Sequence, residues 1–397
     1  MLNWLLAGCA ERLPGATRSQ TPGPVVVLVG VDGFHPDYLN RPASRHLREL
    51  ARAGVQARWL TPVFPTLTFP NFYSIATGLY PEHHGIVSNT IKDPRLGSFT
   101  LRNRAAVEDP RWWGGEPIWV TAVKQGKRAA TYFWPGSEAP IGGIRPTYYK
   151  LFDPSVPNAV RVRQVLEWLS LPPDSAPALV MLYLGDVDHA GHEFGPNSPE
   201  TDSAIARVDS ALGALAGGLG QRGLGGKVNL IVVSDHGMAE IRPDHLMYVE
   251  DLVDTAQADV VELGAVLSLA ARPGAESEVY RRLARAPHLT VYRKPEIPSA
   301  FHYRANPRIQ PIVAVADEGW IVTRRGRGPA PRGMHGYPPD LPSMRALFMA
   351  RGPAFRSGAS VEPFQNIHLY SLLAHILEVK PAPTDGALDS VRTVLRR

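Results

Sequence analysis

Three stretches are apolar without alternation and end in acidic residues: PVVVLVGVD (24–32), ALVMLYLGDVD (178–188) and KVNLIVVSDHG (227–237). Continuous apolar runs of this length read as strands buried on both faces, the mark of a parallel sheet covered by helices. MRALFMARGPAF (344–355) reads as a further buried strand, and KRAATYFWPGSE (127–138) as a short one entering a Pro-Gly turn. Helical patterns separate them at 41–53, 71–77, 116–126, 160–171, 198–219 and 366–379. In the first of these, Leu47, Leu50 and Ala51 share a face; in the fourth, Val160, Val165, Leu166 and Leu169 do. The alternation predicts an α/β fold, an α/β/α sandwich on a mostly parallel central sheet. It breaks from about 241 to 332, which predicts a smaller inserted subdomain within one large domain spanning 24–397. Residues 91–115, with WWGGEP at their end, read as a surface loop.

Composition adds bounds. At 397 residues, 44% hydrophobic and 20% charged, the chain has ample core and is not disordered. The net charge of +5 is spread along the chain, and the densest patch, TRRGRG (323–328), is short. Duplex nucleic acid is not the expected partner, since no recognition motif accompanies the charge; an anionic small molecule is. Cys9 is the only cysteine, so a disulfide within the chain and a multi-thiolate zinc site are excluded. LLAGC (5–9) resembles the lipobox of bacterial lipoproteins, which makes 1–23 a leader or linker with a lipid anchor at Cys9 and the cell envelope or periplasm the expected location. No stretch reaches the ~18 consecutive apolar residues of a membrane helix.

The candidate chemistry lies at strand tips and in loops. TPVFPTLTFPN (61–71) holds Thr68 in a segment with three prolines, each of which fixes φ and restricts its neighbour. Asp32 ends the first strand, and Asp235 and His236 follow the third. Asp188 and His192, four apart, share one side of a helical turn. His335 lies in RGMHGY (332–337). Taken singly, each has a plain structural reading: a helix cap, a surface hydrogen bond, a core histidine, a turn. Asp186, His189, His83 and His84 carry no signal beyond that. Jointly, the three carboxylates and three imidazoles form a donor set suited to Zn²⁺, or to Mn²⁺ or Fe²⁺. Clustered buried carboxylates repel, and divalent cations remove that cost.

The strings VDGF, PTLTFPN with LYPEHHGI, DVDHAGHEFGP, VSDHGM and MHGY occur in the order found in nucleotide pyrophosphatases/phosphodiesterases of the alkaline phosphatase superfamily. The chain resembles that family over roughly 24–395, with YLGDVD departing from the family's usual lead into the Asp188 motif. The resemblance implies an alkaline phosphatase-like fold and two zinc ions. One would be held by Asp188, His192 and His335, the other by Asp32, Asp235, His236 and the oxygen of Thr68. It further implies Thr68 as nucleophile through a covalent phospho-threonine, Asn89 as a donor to a phosphoryl oxygen, and Phe69 and Tyr183 as packing partners of an organic substituent.

A diester or pyrophosphate substrate is expected because alkaline phosphatases place an arginine beside the nucleophile, whereas none occurs here between Trp59 and Arg95. Sulfatases require Cys or Ser with Arg four residues on; the corresponding positions hold Thr68 and Phe72. A phosphomonoesterase or phosphonoacetate-hydrolase-like enzyme on the same site is the alternative reaction. A metal-stabilised binding lipoprotein is the non-catalytic one.

Overall fold

The structure is a computed structural model, described here for residues 23–326 and 328–396. Cys9 and the lipobox-like leader lie outside the described residues. Among them, no helix is long and apolar enough to cross a membrane.

The first apolar run forms β1 (Val25–Val31) at the middle of an eight-stranded sheet. Beyond it come β2 (Val55–Ala57), the hairpin β3 (Thr90–Asp93) and β4 (Gly97–Thr100), β5 (Ala129–Tyr132), β6 (Tyr148–Lys150), β7 (Leu179–Leu184) and β8 (Val228–Val233). β1 pairs in parallel with β7 on one side and β8 on the other. Its alternate residues serve two cores. Val26 and Leu28 face one, and Val27, Val29 and Val31 the other. Both faces are covered, and for that reason the run is apolar throughout.

Helices α1 (Arg45–Ala53), α4 (Asn158–Leu169) and α6 (Pro199–Gln221) cover the second face, through residues such as Leu47, Val165 and Val208. Helices α2 (Thr68–Thr77) and α3 (Ile118–Lys124) cover the first, with Phe72, Ile75 and Trp119 in its core. α5 (Asp186–Phe194) follows β7 directly. The three-layer sandwich on a mostly parallel sheet is thus the observed architecture.

Four antiparallel strands lie between β8 and the C-terminal part of the large sheet. They are β9 (Ala258–Glu262), β10 (Val266–Ala271), β11 (Leu289–Arg293) and β12 (Ile312–Ala316), in the order β9-β10-β12-β11. They enclose a third core around Leu267, Leu269 and Ala314. The chain then returns through β13 (Phe348–Arg351), which runs antiparallel to β8 and β2, and β14 (Ala359–Val361), and closes with α7 (His368–Ile376).

Two local readings change. Residues 91–115 are no surface loop. They carry most of the β3–β4 hairpin, and Trp112 and Trp113 are buried against Phe99. Trp113 also donates its indole N–H to the Val107 carbonyl at 2.9 Å, so the polar edge is satisfied inside. The second helix begins at Thr68 rather than at 71. Pro70 sits in its first turn, where a missing N–H leaves no bond unmade.

Candidate active site

The loops at the C-terminal ends of β1, β7 and β8 converge on the N-terminus of α2. β1 ends one residue before Asp32, and β8 two before Asp235. β7 stops at Leu184, so Asp188 and His192 stand on α5, one turn apart, and not on the strand itself. Gly33 permits the convergence. Its φ is +67°, and a β-carbon there would lie 2.9 Å from Cα of Asp188. Its N–H donates to Asp235 Oδ1 at 3.2 Å.

Six of the side chains singled out in the sequence meet as two abutting clusters. In one, Asp188 Oδ1 lies 3.4 Å from Nε2 of both His192 and His335, and the two Nε2 atoms are 3.1 Å apart. In the other, His236 Nε2 lies 3.0 Å from Asp235 Oδ2 and 3.5 Å from Asp32 Oδ1. Thr68 Oγ1 is 3.4 Å from the same nitrogen. The rings of His236 and His335 stack with centroids 3.5 Å apart. His236 therefore lies within reach of both clusters, and Asp188, His236 and His335 also form a compact group.

The hydrogen bonds fix what these atoms offer. Each imidazole donates its Nδ1–H to a backbone carbonyl: His192 to Gly333, His236 to Gly237 and His335 to Thr66, at 2.8–2.9 Å. Every Nε2 is left as a lone pair facing the cluster. The carboxylates are arranged likewise. Tyr183 Oη donates to Asp32 Oδ2 at 2.6 Å, while the remaining oxygens, Asp32 Oδ1, Asp188 Oδ1 and Asp235 Oδ2, are buried without a hydrogen-bond partner.

Lone pairs and carboxylate oxygens at these separations repel unless a cation lies among them. Ligand bonds of about 2.0–2.1 Å in a tetrahedron give an edge of about 3.4 Å, which matches the observed spacing. The electrostatics agree. Burial, with the Asp235 and Asp188 carboxylates, holds Asp32 well above the usual carboxylate range. Burial and the His236 and His192 rings hold His335 well below the usual imidazole range. The donor set fits divalent metal, and the clusters are groups that could hold it.

Asn71, which carries no motif of its own, holds the loop that bears Thr68. Its Oδ1 accepts from Val63 N–H at 2.8 Å, and its Nδ2 donates to the carbonyls of Pro65 and Leu67 at 3.0 Å. The one signal in the sequence is an amide side chain between Pro70 and Phe72. Thr66 ties the same loop to the segment carrying His335, accepting from Gly336 N–H and donating to the Tyr337 carbonyl.

Asn89 Oδ1 accepts the Phe69 N–H at 3.0 Å, which leaves its Nδ2 as the donor end of the amide. Thr68, Asn89, Tyr183, Asp188 and His192 line a groove of about 1140 Å³. A smaller cavity of about 150 Å³ opens from the same place, walled by Phe69, Tyr183, Trp134 and Arg104. Phe69 is packed edgewise on Phe99 at 5.9 Å, and its ring is held in place. Distance along the chain misjudged the arginines, because Arg102 lines the groove and Arg104 the cavity. Arg104, however, is ion-paired with the buried Glu138 carboxylate, and its charge is matched within the protein.

Residues without a chemical signal in the sequence have structural partners. Asp186 binds Asn158 and Arg207, His83 pairs with Asp385, His84 is buried against Ser74, and His189 is exposed beside Glu193.

A family model described as type I phosphodiesterase/nucleotide pyrophosphatase matches residues 26–338. The chain is 39% identical over 417 residues to venom phosphodiesterase CdcPDE of Crotalus durissus collilineatus, covering 99% of the chain and 49% of that protein. It is 34% identical over 406 residues to ectonucleotide pyrophosphatase/phosphodiesterase family member 3 of Rattus norvegicus, covering 99% and 46%. The chain spans about half the length of the curated relatives it matches. Among solved structures, murine ectonucleotide pyrophosphatase/phosphodiesterase 5, as an inactive threonine-to-alanine variant with AMP, superposes with a TM-score of 0.90 at 37% identity. That match covers 94% of this chain and 100% of the other. The human counterpart gives 0.90 at 36%, over the same shares of the two chains.

Proposed function

The chain belongs to the type I phosphodiesterase/nucleotide pyrophosphatase family, and from that premise we propose that it hydrolyses phosphodiester or pyrophosphate bonds of anionic small molecules such as nucleotides. One observation carries the reading. Three partnerless carboxylate oxygens and three imidazole lone pairs converge beside a buried threonine hydroxyl at the start of a helix.

The residues divide by task. Asp188, His192 and His335 would hold one zinc ion, and Asp32, Asp235 and His236, with Thr68 Oγ1, would hold the other. Bound there, the two ions would supply Lewis acidity toward the threonine hydroxyl and the phosphoryl oxygens. Thr68 Oγ1 forms the bond to phosphorus while the bond to the leaving oxygen breaks; the hydroxyl proton leaves with the departing alcohol, and the phospho-threonine keeps the other ester substituent. Attack by water then breaks the P–Oγ1 bond and restores Thr68, so one water is consumed per diester.

The surrounding groups position and stabilise. Asn71 and the prolines keep Thr68 in one geometry, which lowers the entropy lost on reaching the transition state. Asn89 Nδ2 donates to a non-bridging phosphoryl oxygen, and the positive end of α2 favours the same anion. Phe69 and Tyr183 pack on the organic substituent in the smaller cavity. A diester presents such a substituent and carries less charge than a monoester, and the cavity's Arg104 is already matched by Glu138. Action outside the cytoplasm fits relatives named as venom and ectonucleotide enzymes.

The test is Thr68→Ala, assayed on bis-p-nitrophenyl phosphate and on the monoester. Diesterase kcat is expected to fall by about 10³ or more while metal content stays near the wild-type level. Undiminished activity removes Thr68 from the role, and wild-type preference for the monoester favours the phosphomonoesterase alternative.

A further inference from the structure

Asn89 sits between two residues that are gripped by the inserted antiparallel sheet. Glu262, at the end of β9, accepts the Ser88 hydroxyl at 2.6 Å and the Thr90 N–H at 3.0 Å on a single carboxylate oxygen, Oε2. Its other oxygen accepts the N–H of Leu263 at 3.2 Å. Both sides of Asn89 are thereby tied to one atom 172–174 residues away in the chain.

The strand is shaped for this contact. β9 slips register against β10 between Val260 and Glu262: Val260 faces Leu269 and Glu262 faces Ser268, leaving Val261 as an extra residue. A bulge of that kind re-aims the side chain beside it. Two further contacts hold the same loop against the inserted unit. Buried Tyr303 donates its hydroxyl to the Val87 carbonyl at 2.8 Å, and Lys92 pairs with Asp259. Burial raises the Glu262 carboxyl, and the donors from Ser88 and Thr90 oppose the rise. A carboxylate kept in such a place needs those donors.

Asn89 itself is anchored from the other side by the Phe69 N–H. That bond uses its oxygen and fixes which way the amide points. The backbone of Asn89 is then the remaining freedom, and Glu262 removes it.

We propose that Glu262 is a positioning residue: through Ser88 and Thr90 it holds the Asn89 amide at the phosphoryl group. The proposal rests on the role given to Asn89 above. It also assigns the inserted sheet a part in the reaction, although none of the candidate metal-binding or nucleophilic side chains comes from β9–β12.

The experiment is a double-mutant cycle with bis-p-nitrophenyl phosphate, following kcat, KM, metal content and thermal unfolding. Asn89→Ala is expected to lower kcat about 10²-fold. Glu262→Ala is expected to lower kcat about tenfold or more with KM and metal content little changed, since small misplacements of a catalytic donor are costly. Glu262→Gln keeps an acceptor oxygen for both donors and restores most of kcat. Combining Glu262→Ala with Asn89→Ala gives no further loss beyond Asn89→Ala alone. Ser88→Ala, which removes one donor only, gives a smaller loss of the same kind in a protein that folds normally.

Multiplying losses in the double variant, or a Glu262→Ala enzyme with normal kcat per bound metal, overturn the positioning role and leave the reading of Asn89 intact. A silent Asn89→Ala overturns both.

Discussion

Tyr183 donates its hydroxyl to Oδ2 of Asp32 at 2.6 Å, across 151 residues of chain. The bond turns the other Asp32 oxygen toward His236, whose Nε2 lies 3.5 Å away. A tyrosine expected to pack on substrate thus also orients a carboxylate of the candidate metal cluster.

Tyr183→Phe separates the two tasks. The ring keeps its packing against Phe72 at 5.5 Å and Phe152 at 6.3 Å, but Asp32 loses its orienting donor. Metal affinity is expected to fall about tenfold, as for other groups that orient metal ligands. Chelator competition on the loaded enzyme measures it. An unchanged affinity with a raised KM would assign the hydroxyl to substrate instead.

Phe69 gives the complementary case. It walls the smaller cavity together with Tyr183 and Trp134. Phe69→Ala is expected to raise KM for aromatic diesters about tenfold with kcat nearly unchanged, the signature of lost uniform binding. Steady-state kinetics on diesters with aromatic and small alkyl groups checks it. A fall in kcat at constant KM would instead show that Phe69 shapes the Thr68 geometry.

His84 is one group that makes stability depend on pH. It is fully buried, accepting the Ile86 N–H on Nδ1 and bonding Ser74 Oγ through Nε2. Burial holds its pKa at about 3, below the roughly 6.5 of an unfolded chain. The unfolded state therefore binds more protons between these values, and stability rises with pH through that window. The contribution is complete above about pH 6.5 and is lost as pH falls toward 3. By this linkage, His84 makes the protein about 2 kcal/mol less stable at pH 5 than at pH 7.5. In His84→Gln the difference should shrink by that amount, which chemical denaturation at the two pH values measures. An unaltered difference would place the acid sensitivity elsewhere.

Much of the candidate site is legible in the sequence because its signals are local. Asp32, Asp235 and His236 follow apolar runs that can only be buried strands, and ligands in such folds gather at strand tips. Asp188 and His192 declare themselves by a one-turn spacing. The burial of the WWGGEP segment is not legible in the sequence because its neighbours are polar. Its two indoles are buried by partners from the β3–β4 hairpin, a contact that no periodicity announces.

What the sequence alone determined, then, is the class of fold and the chemical identity of the donors. Strand burial on two faces and the kinds of side chain at the tips are written residue by residue. Tertiary structure decided which donors point where. The bond from Tyr183 to Asp32, the Asn71 brace, the matching of Arg104 by Glu138 and the grip of Glu262 on Ser88 and Thr90 all depend on segments brought together by packing. A hydrogen bond between residues far apart in the chain leaves no period behind, because its geometry is set by the sheet and helices that carry its two ends.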